Sequence, residues 1–215
     1  MTRNTRALVT AIAALLLAPL AQAGVIGTTG DANLIGAPAA ATKNAAGLSN
    51  SAGGSDSYVW FESAGALASD QTVDTDAAGT LLSDPGNVVI SAGTYVESYM
   101  LYFDVLGNSQ GASNGSITFS SDVLGIMGNA SLLRTSHGSL GNAGTSYITG
   151  SNSFQGIWDS NGDSVTLSAD LRTVSFNVTV GTAIDTIRIL TAETVPTPAP
   201  LALLLVGALA LLRRR

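Results

Sequence analysis

Glu97-Ser98-Tyr99-Met100-Leu101-Tyr102-Phe103-Asp104-Val105-Leu106 is the stretch on which the fold turns. Read with a period of two, Tyr99, Leu101, Phe103 and Val105 share one face, and Ser98, Met100, Tyr102 and Asp104 share the other. A helix would scatter both sets around its circumference, so the alternation predicts a strand with one buried and one wet face. The period recurs in Thr173–Val180, where Val174, Phe176, Val178 and Val180 oppose Thr173, Ser175, Asn177 and Thr179. Ser116–Ser120 turns Ile117 and Phe119 inward, and Thr186–Leu190 sets Ile187 and Ile189 against Arg188. Tyr58–Glu62, Val123–Met127 and Val165–Ser168 are further strand candidates, with a bend expected at Asp170-Leu171. One-sided strands favour antiparallel sheets packed face to face, so the expected fold is all-β, an antiparallel β-sandwich of jelly-roll type. No amphipathic helix is predicted between the ends of the chain. Residues 24–56, rich in Ala, Gly, Ser, Thr and Asn, are expected to be loosely ordered. Residues 63–87 alternate small polar groups with turn chemistry such as Asp84-Pro85-Gly86-Asn87.

Charge is segregated along the chain. All 15 acidic residues lie within 24–194 beside only Lys43, Arg134, Arg172 and Arg188, which leaves that part at −11 while the whole chain carries −6. So acidic a domain repels phosphate backbones, which argues against a nucleic-acid partner. There is no Cys, which removes disulfides, thiolate metal sites and cysteine nucleophiles.

The two ends read as processing signals. Arg3 and Arg6 form a positive n-region, Ala7–Leu20 an apolar h-region, and Ala21-Gln22-Ala23 an A-x-A cleavage site before Gly24. Residues 1–23 are therefore expected to be a signal peptide cut by signal peptidase, and 24–194 the exported domain. At the other end, Val195-Pro196-Thr197-Pro198-Ala199-Pro200 is an extended, exposed spacer, because proline is excluded from helix interiors. Residues 199–212 form a short apolar membrane helix, about 21 Å long against a hydrocarbon core of about 30 Å. Arg213, Arg214 and Arg215 resist translocation and hold that end in the cytoplasm, with the domain outside. A permanent single-pass anchor is the alternative reading of the tail.

The order of Pro-rich motif, short helix and basic end resembles the PEP-CTERM sorting signal of Gram-negative bacteria. Val195, Pro196 and Pro198 match its V-P-E-P-type motif, and Thr197 stands where that family usually has Glu. The resemblance implies an exosortase-type transpeptidase that cuts near the motif after export, so that the membrane helix of residues 199–212 is lost from the mature protein. It extends over about residues 58–215. Glu97–Gly107, Gly115–Phe119, Val123–Ile126, Asp163–Ser168, Arg172–Val180 and Asp185–Leu190 are similar in order and pattern to a group of exported proteins with this tail. These are packing and turn patterns, so the resemblance implies fold and address and supplies no activity.

No segment carries an enzyme signature. His137, the sole histidine, lies in Arg134-Thr135-Ser136-His137-Gly138, which reads as a solvated polar loop. A Ser-His-Asp triad is the sharper alternative, but no nucleophile-elbow motif accompanies it. Asp159-Ser160-Asn161-Gly162-Asp163 places the oxygen ligands Asp159, Asn161 and Asp163 on alternate residues, as calcium loops do. It lacks the EF-hand glutamate at the twelfth place, so an Asn-Gly turn is the expectation and calcium the alternative, with no cofactor otherwise implied. Trp60 and Trp158 would stack on sugars if exposed and are otherwise core. Fifteen acids permit many carboxylate pairs for glycoside hydrolysis, and no spacing selects one. Asn114, Asn129 and Asn177 begin N-glycosylation sequons read as chance.

The expectation is an exported protein that passes through an inner-membrane intermediate to the cell surface or extracellular matrix, with a non-enzymatic structural or interaction role. Its expected partners are signal peptidase, the exosortase-type protease, the membrane before processing, and exopolysaccharide. A carbohydrate-binding module and a carboxylate-dependent hydrolase are the alternatives.

Overall fold

The computed structural model of the chain describes residues 24–81, 88–149, 155–157 and 162–193. The described elements, in chain order, are β1 (Val25–Gly30), β2 (Ala32–Leu34), β3 (Ala40–Ala41), β4 (Ser57–Ala66), β5 (Gln71–Val73), β6 (Gly79–Leu81), β7 (Val88–Ile90), β8 (Tyr95–Phe103), β9 (Gly111–Phe119), β10 (Val123–Met127), α1 (Ala130–Leu140), β11 (Ser146–Tyr147), β12 (Ser164–Leu167), β13 (Thr173–Val180) and β14 (Asp185–Ala192). Two five-stranded sheets dominate. The first has the order β1-β9-β13-β12-β6 and the second β10-β14-β8-β4-β2. Every described pairing within them is antiparallel except β2 with β4, and a parallel pair β3-β11 and an antiparallel pair β5-β7 stand apart.

The predicted inward residues do meet. Tyr99, Leu101 and Phe103 of β8 and Ile187 and Ile189 of β14 join Ile117 and Phe119 of β9 and Val174, Phe176, Val178 and Val180 of β13 in one buried cluster. That cluster is the interior between the sheets, so the architecture is β-sandwich-like. Strand β13 alternates as expected, its outward Ser175 and Asn177 exposed. The bend before it is also where it was expected. Leu171 adopts φ 58°, and Ser168 and Asp170 cap the turn through their side chains.

The second sheet departs from the one-wet-face expectation. Ser98, Met100, Tyr102 and Asp104 are buried, and so is nearly all of β14. The covering layer comes from α1, from β5 and β7, and from residues 41–48. Leu133, Leu140, Val73, Ile90, Ala41, Ala45 and Leu48 pack on Trp60, Met100, Tyr102, Met127 and Leu190 in a second core.

Helix α1 corrects the expectation that no helix lies between the ends. Asn129 caps it, its Oδ1 accepting from the Ser131 N–H at 2.9 Å. Its buried face is Leu133, Ser136 and Leu140, a helical spacing. A serine within that stripe, and Gly138 beside it, hid the periodicity. Residues 24–56, expected to be loosely ordered, instead carry β1, β2 and β3 and are tied down by Lys43, as described below. Among the described residues no helix is long and apolar enough to cross a membrane. The segments read as signal peptide and sorting tail lie outside them.

β1 is seated by two facing glycines, Gly30 and Gly115. Gly30 has φ 64°, and a Cβ on Gly115 would sit 2.4 Å from the Thr29 carbonyl oxygen and 3.1 Å from the Phe176 ring. Gly115→Ala is therefore expected to cost about 1–3 kcal/mol in urea denaturation. Gly27→Ala, where a Cβ meets nothing within 4 Å, should stay within about 0.5 kcal/mol. Equal effects at the two sites would contradict this placement of β1.

Candidate functional site

The densest polar chemistry lies beneath α1. The register of β4 against β8 passes from Phe61–Tyr99 to Ser63–Ser98, so Glu62 is the extra residue of a β-bulge. Two residues after Trp60, Glu62 faces the second core beside Arg188 of β14. Both side chains are fully buried. Arg188 Nε donates to Glu62 Oε2 at 2.7 Å and Nη2 to Oε1 at 2.9 Å, a bidentate pair. Ser98 donates to Oε2 at 2.8 Å and Tyr147 to Oε1 at 2.6 Å. Arg188 Nη1 reaches the Leu133 carbonyl and Ser136 Oγ in α1, and Nη2 lies 3.1 Å from His137 Nδ1. The His137 and Tyr147 rings stack with centroids 4.4 Å apart.

His137 is thus a packed helix residue and not a solvated loop residue, a correction that follows from α1 itself. A histidine whose Nδ1 faces a guanidinium is a neutral acceptor there. Burial, and after it the Arg188 charge, hold its pKa down to about 4. Burial and the adjacent Glu62 carboxylate push the Tyr147 phenol up. The chemistry of this cluster is to hold five elements together: β4, β8, β14, α1 and β11.

A second buried cluster ties the N-terminal stretch to the sandwich. Asp104 accepts from Lys43 Nζ, from the Asn44 N–H at 2.8 Å, from Ser49 Oγ at 2.5 Å and from the Tyr102 hydroxyl at 3.2 Å. Lys43 Nζ also donates to the carbonyls of Val105, Gly181 and Ala183. Beside them Asp185 and Asp163 are both buried, and burial first, then Asp163, raises Asp185 well above the ordinary carboxylate range.

The exposed chemistry is of another kind. On the outer face of the first sheet, one row of paired positions crosses all five strands as Thr29, Ser116, Ser175, Thr166 and Thr80. Thr29–Ser116, Thr80–Thr166 and, one row away, Thr118–Thr173 are hydroxyl-to-hydroxyl hydrogen bonds of 2.8–3.2 Å. Asn114 and Asn177, both in sequons, face each other across β9 and β13 in the next row. These outward rows carry no charged or aromatic side chain, although the domain as a whole is strongly acidic. Hydroxyls recur about 4.8 Å apart across the strands and about 6.8 Å apart along them. Each keeps further donor or acceptor capacity for an uncharged hydroxylated partner. A cavity of about 350 Å³ opens elsewhere, lined by Ser63, Gly65, Leu67, Gln71, Val96 and Leu140 among others. No carboxylate or imidazole lines it.

Several predicted site residues find their places. Trp60 is fully buried in the second core and so is unavailable for sugar stacking. Asp163 is buried, with Oδ1 accepting from the Thr179 N–H at 2.7 Å, and Gly162 before it has φ 79°, a turn conformation. The Gly24 backbone nitrogen donates to Ser120 Oγ at 2.9 Å. Trp158, Asp159, Asn161, Ala21, Ala23, Val195, Pro196, Thr197, Pro198, Arg213, Arg214 and Arg215 lie outside the described residues. No group of three or more metal-ligating His, Asp or Glu side chains forms among the described residues. Sequence reasoning missed Glu62, Tyr147 and Lys43. Arg188, a lone cation between isoleucines in a strand, was the one available signal of a buried ion pair. Comparison with protein-family models, curated proteins and solved structures finds no match to this chain.

His137 gives the cluster a pH dependence of defined sign. Its folded-state value lies below the ordinary 6.5, so on acidification the unfolded chain binds the proton first. Stability from this site is complete above pH 6.5 and falls as the pH drops from 6.5 toward 4. Between pH 7 and pH 5 the wild type should lose about 1–2 kcal/mol more than His137→Gln in urea titrations. Identical profiles would show that His137 is not held neutral.

Proposed function

We propose that this chain is an exported protein of the cell surface or extracellular matrix, with a structural or interaction role in contact with neutral polysaccharide. The observation that carries the reading is the uncharged Thr/Ser/Asn face of the first sheet, which crosses five strands of a domain whose charge is −11. A neutral polyhydroxylated chain is the partner whose donors and acceptors match such a face without a desolvated charge on either side. The address is supported by the sequence alone. Ala21-Gln22-Ala23 ends an export signal, and Val195-Pro196-Thr197-Pro198, residues 199–212 and Arg213-Arg214-Arg215 compose a PEP-CTERM-like tail for an exosortase-type protease. On this reading the membrane helix serves an inner-membrane intermediate and is removed before release. The ectodomain is a β-sandwich of jelly-roll type, supported by the way the chain changes sheets at β8–β9, β9–β10 and β13–β14. The neutral face and His137, engaged by Arg188 and stacked on Tyr147, favour binding over the hydrolase alternative.

Fractionating a producing Gram-negative strain tests both halves of the proposal. Matrix-bound protein should begin at Gly24 and lack Leu201–Arg215 by intact mass, and it should keep its tail when the sorting protease is deleted. Ser175→Glu with Thr166→Glu should be processed identically but appear in the medium. A tail retained in the matrix fraction of both strains would make residues 195–215 a permanent anchor. A double variant that stays matrix-bound would remove the hydroxyl face from the contact.

A further inference from the structure

At one end of the sandwich interior the inward face of the second sheet changes from hydrocarbon to oxygen. Glu97 of β8 lies directly across from Thr191 of β14. Glu193 follows two residues later on the same face. Val123 pairs with Thr191, and the Ala192 N–H donates to the Asp122 carbonyl. Continuing that antiparallel register sets Ser121 beside Glu193. Glu97 and Thr191 are 1% exposed and Ser121 is 6% exposed. Glu97 Oε2 accepts from the Tyr99 hydroxyl at 2.6 Å. Thr191 Oγ1, Ser121 Oγ and Glu193 Oε2 are buried atoms with no hydrogen-bond partner. Neither carboxylate meets a Lys or Arg among the described ion pairs.

Buried hydroxyls normally find partners, and buried carboxylates find a countercharge. Here both lack them in the same place. Diagonal neighbours on one sheet face lie close enough to share a ligand, and Glu193 adds to the burial that raises Glu97, against the opposing pull of the Tyr99 hydrogen bond. We propose that Glu97, Glu193, Thr191 and Ser121 form a binding site for a divalent cation of the calcium type. Two carboxylates and two hydroxyls are hard oxygen donors, and an irregular all-oxygen set with room for water and backbone carbonyls suits calcium better than the strict octahedron of magnesium. The set contains no imidazole or thiolate and so does not suit zinc. The cation neutralises the pair and satisfies the hydroxyls. It also fastens the C-terminal end of β14 to the start of β8.

The test is thermal unfolding of the full chain in mild detergent, in chelator and then in millimolar calcium chloride, with magnesium chloride and matched sodium chloride as controls. Calcium should raise Tm by roughly 5 °C, with a smaller response to magnesium and none to sodium. Terbium should give Tyr99-sensitised emission that calcium displaces. Glu97→Gln should abolish both responses while melting no lower than wild type in chelator, because it removes a buried charge and keeps the shape. Thr191→Val, a milder change, should weaken calcium binding about tenfold if Glu97→Gln does not fold. Asp163→Asn, in the loop that the sequence offered for calcium, should leave the response intact. A wild-type Tm indifferent to calcium would overturn the proposal. So would a calcium shift that survives Thr191→Val and Glu97→Gln or disappears in Asp163→Asn.

Discussion

A guanidinium buried under a helix constrains much of this molecule. Arg188 sits mid-strand in β14, and a charge there is tolerable only with a carboxylate in contact and its remaining N–H groups satisfied. Glu62 supplies the carboxylate from the bulge in β4. The other donors of Arg188 go to the Leu133 carbonyl, Ser136 and His137, all on α1. The helix therefore has to lie on the second sheet, with its buried serine over the guanidinium. Tyr147, donating to Glu62 and stacked on His137, fixes β11 in turn. Such a pair adds little net stability over a hydrophobic replacement, but it penalises any arrangement that separates its members.

Lys43 and Asp104 repeat the arrangement at the far end of β8. An ammonium ringed by a carboxylate and three carbonyls holds the glycine- and alanine-rich N-terminal stretch against the loop between β13 and β14. Part of the domain's acidity is thus interior. Glu62, Glu97, Asp104, Asp163 and Asp185 are buried, so the surface is less negative than the composition implies, and the outer face of the first sheet is neutral.

The central strands were legible because their alternation is strict. Tyr99, Leu101 and Phe103, and likewise Val174, Phe176 and Val178, point where a period of two puts them. The second core was not legible. Met100 and Tyr102 alternate with Ser98 and Asp104, a pattern that describes a wet face as well as a polar network under a lid. The lid itself is made of Ala41, Ala45 and Leu48 and of a helix whose stripe includes Ser136, all too small or polar to announce burial. Of the candidate sites, the Gly162 turn was readable from local spacing, whereas Asp163 is held by the Thr179 N–H sixteen residues on. Glu62 with Arg188, and Glu97 with Thr191, are partners only through strand register, which no local pattern encodes. The proposed export and sorting signals rest on linear order alone and need no register.

The central claim is that one buried ion pair organises the layer over the second sheet, and a double-mutant cycle on Glu62 and Arg188 tests it most directly. Glu62→Leu and Arg188→Met should each cost about 3–5 kcal/mol in urea denaturation, because each strands a charge or its donors. The double variant should recover most of that loss, giving a coupling energy of about 3 kcal/mol or more. Additivity of the two changes to within about 0.5 kcal/mol would mean that the pair does not hold the layer in place, and would contradict the account.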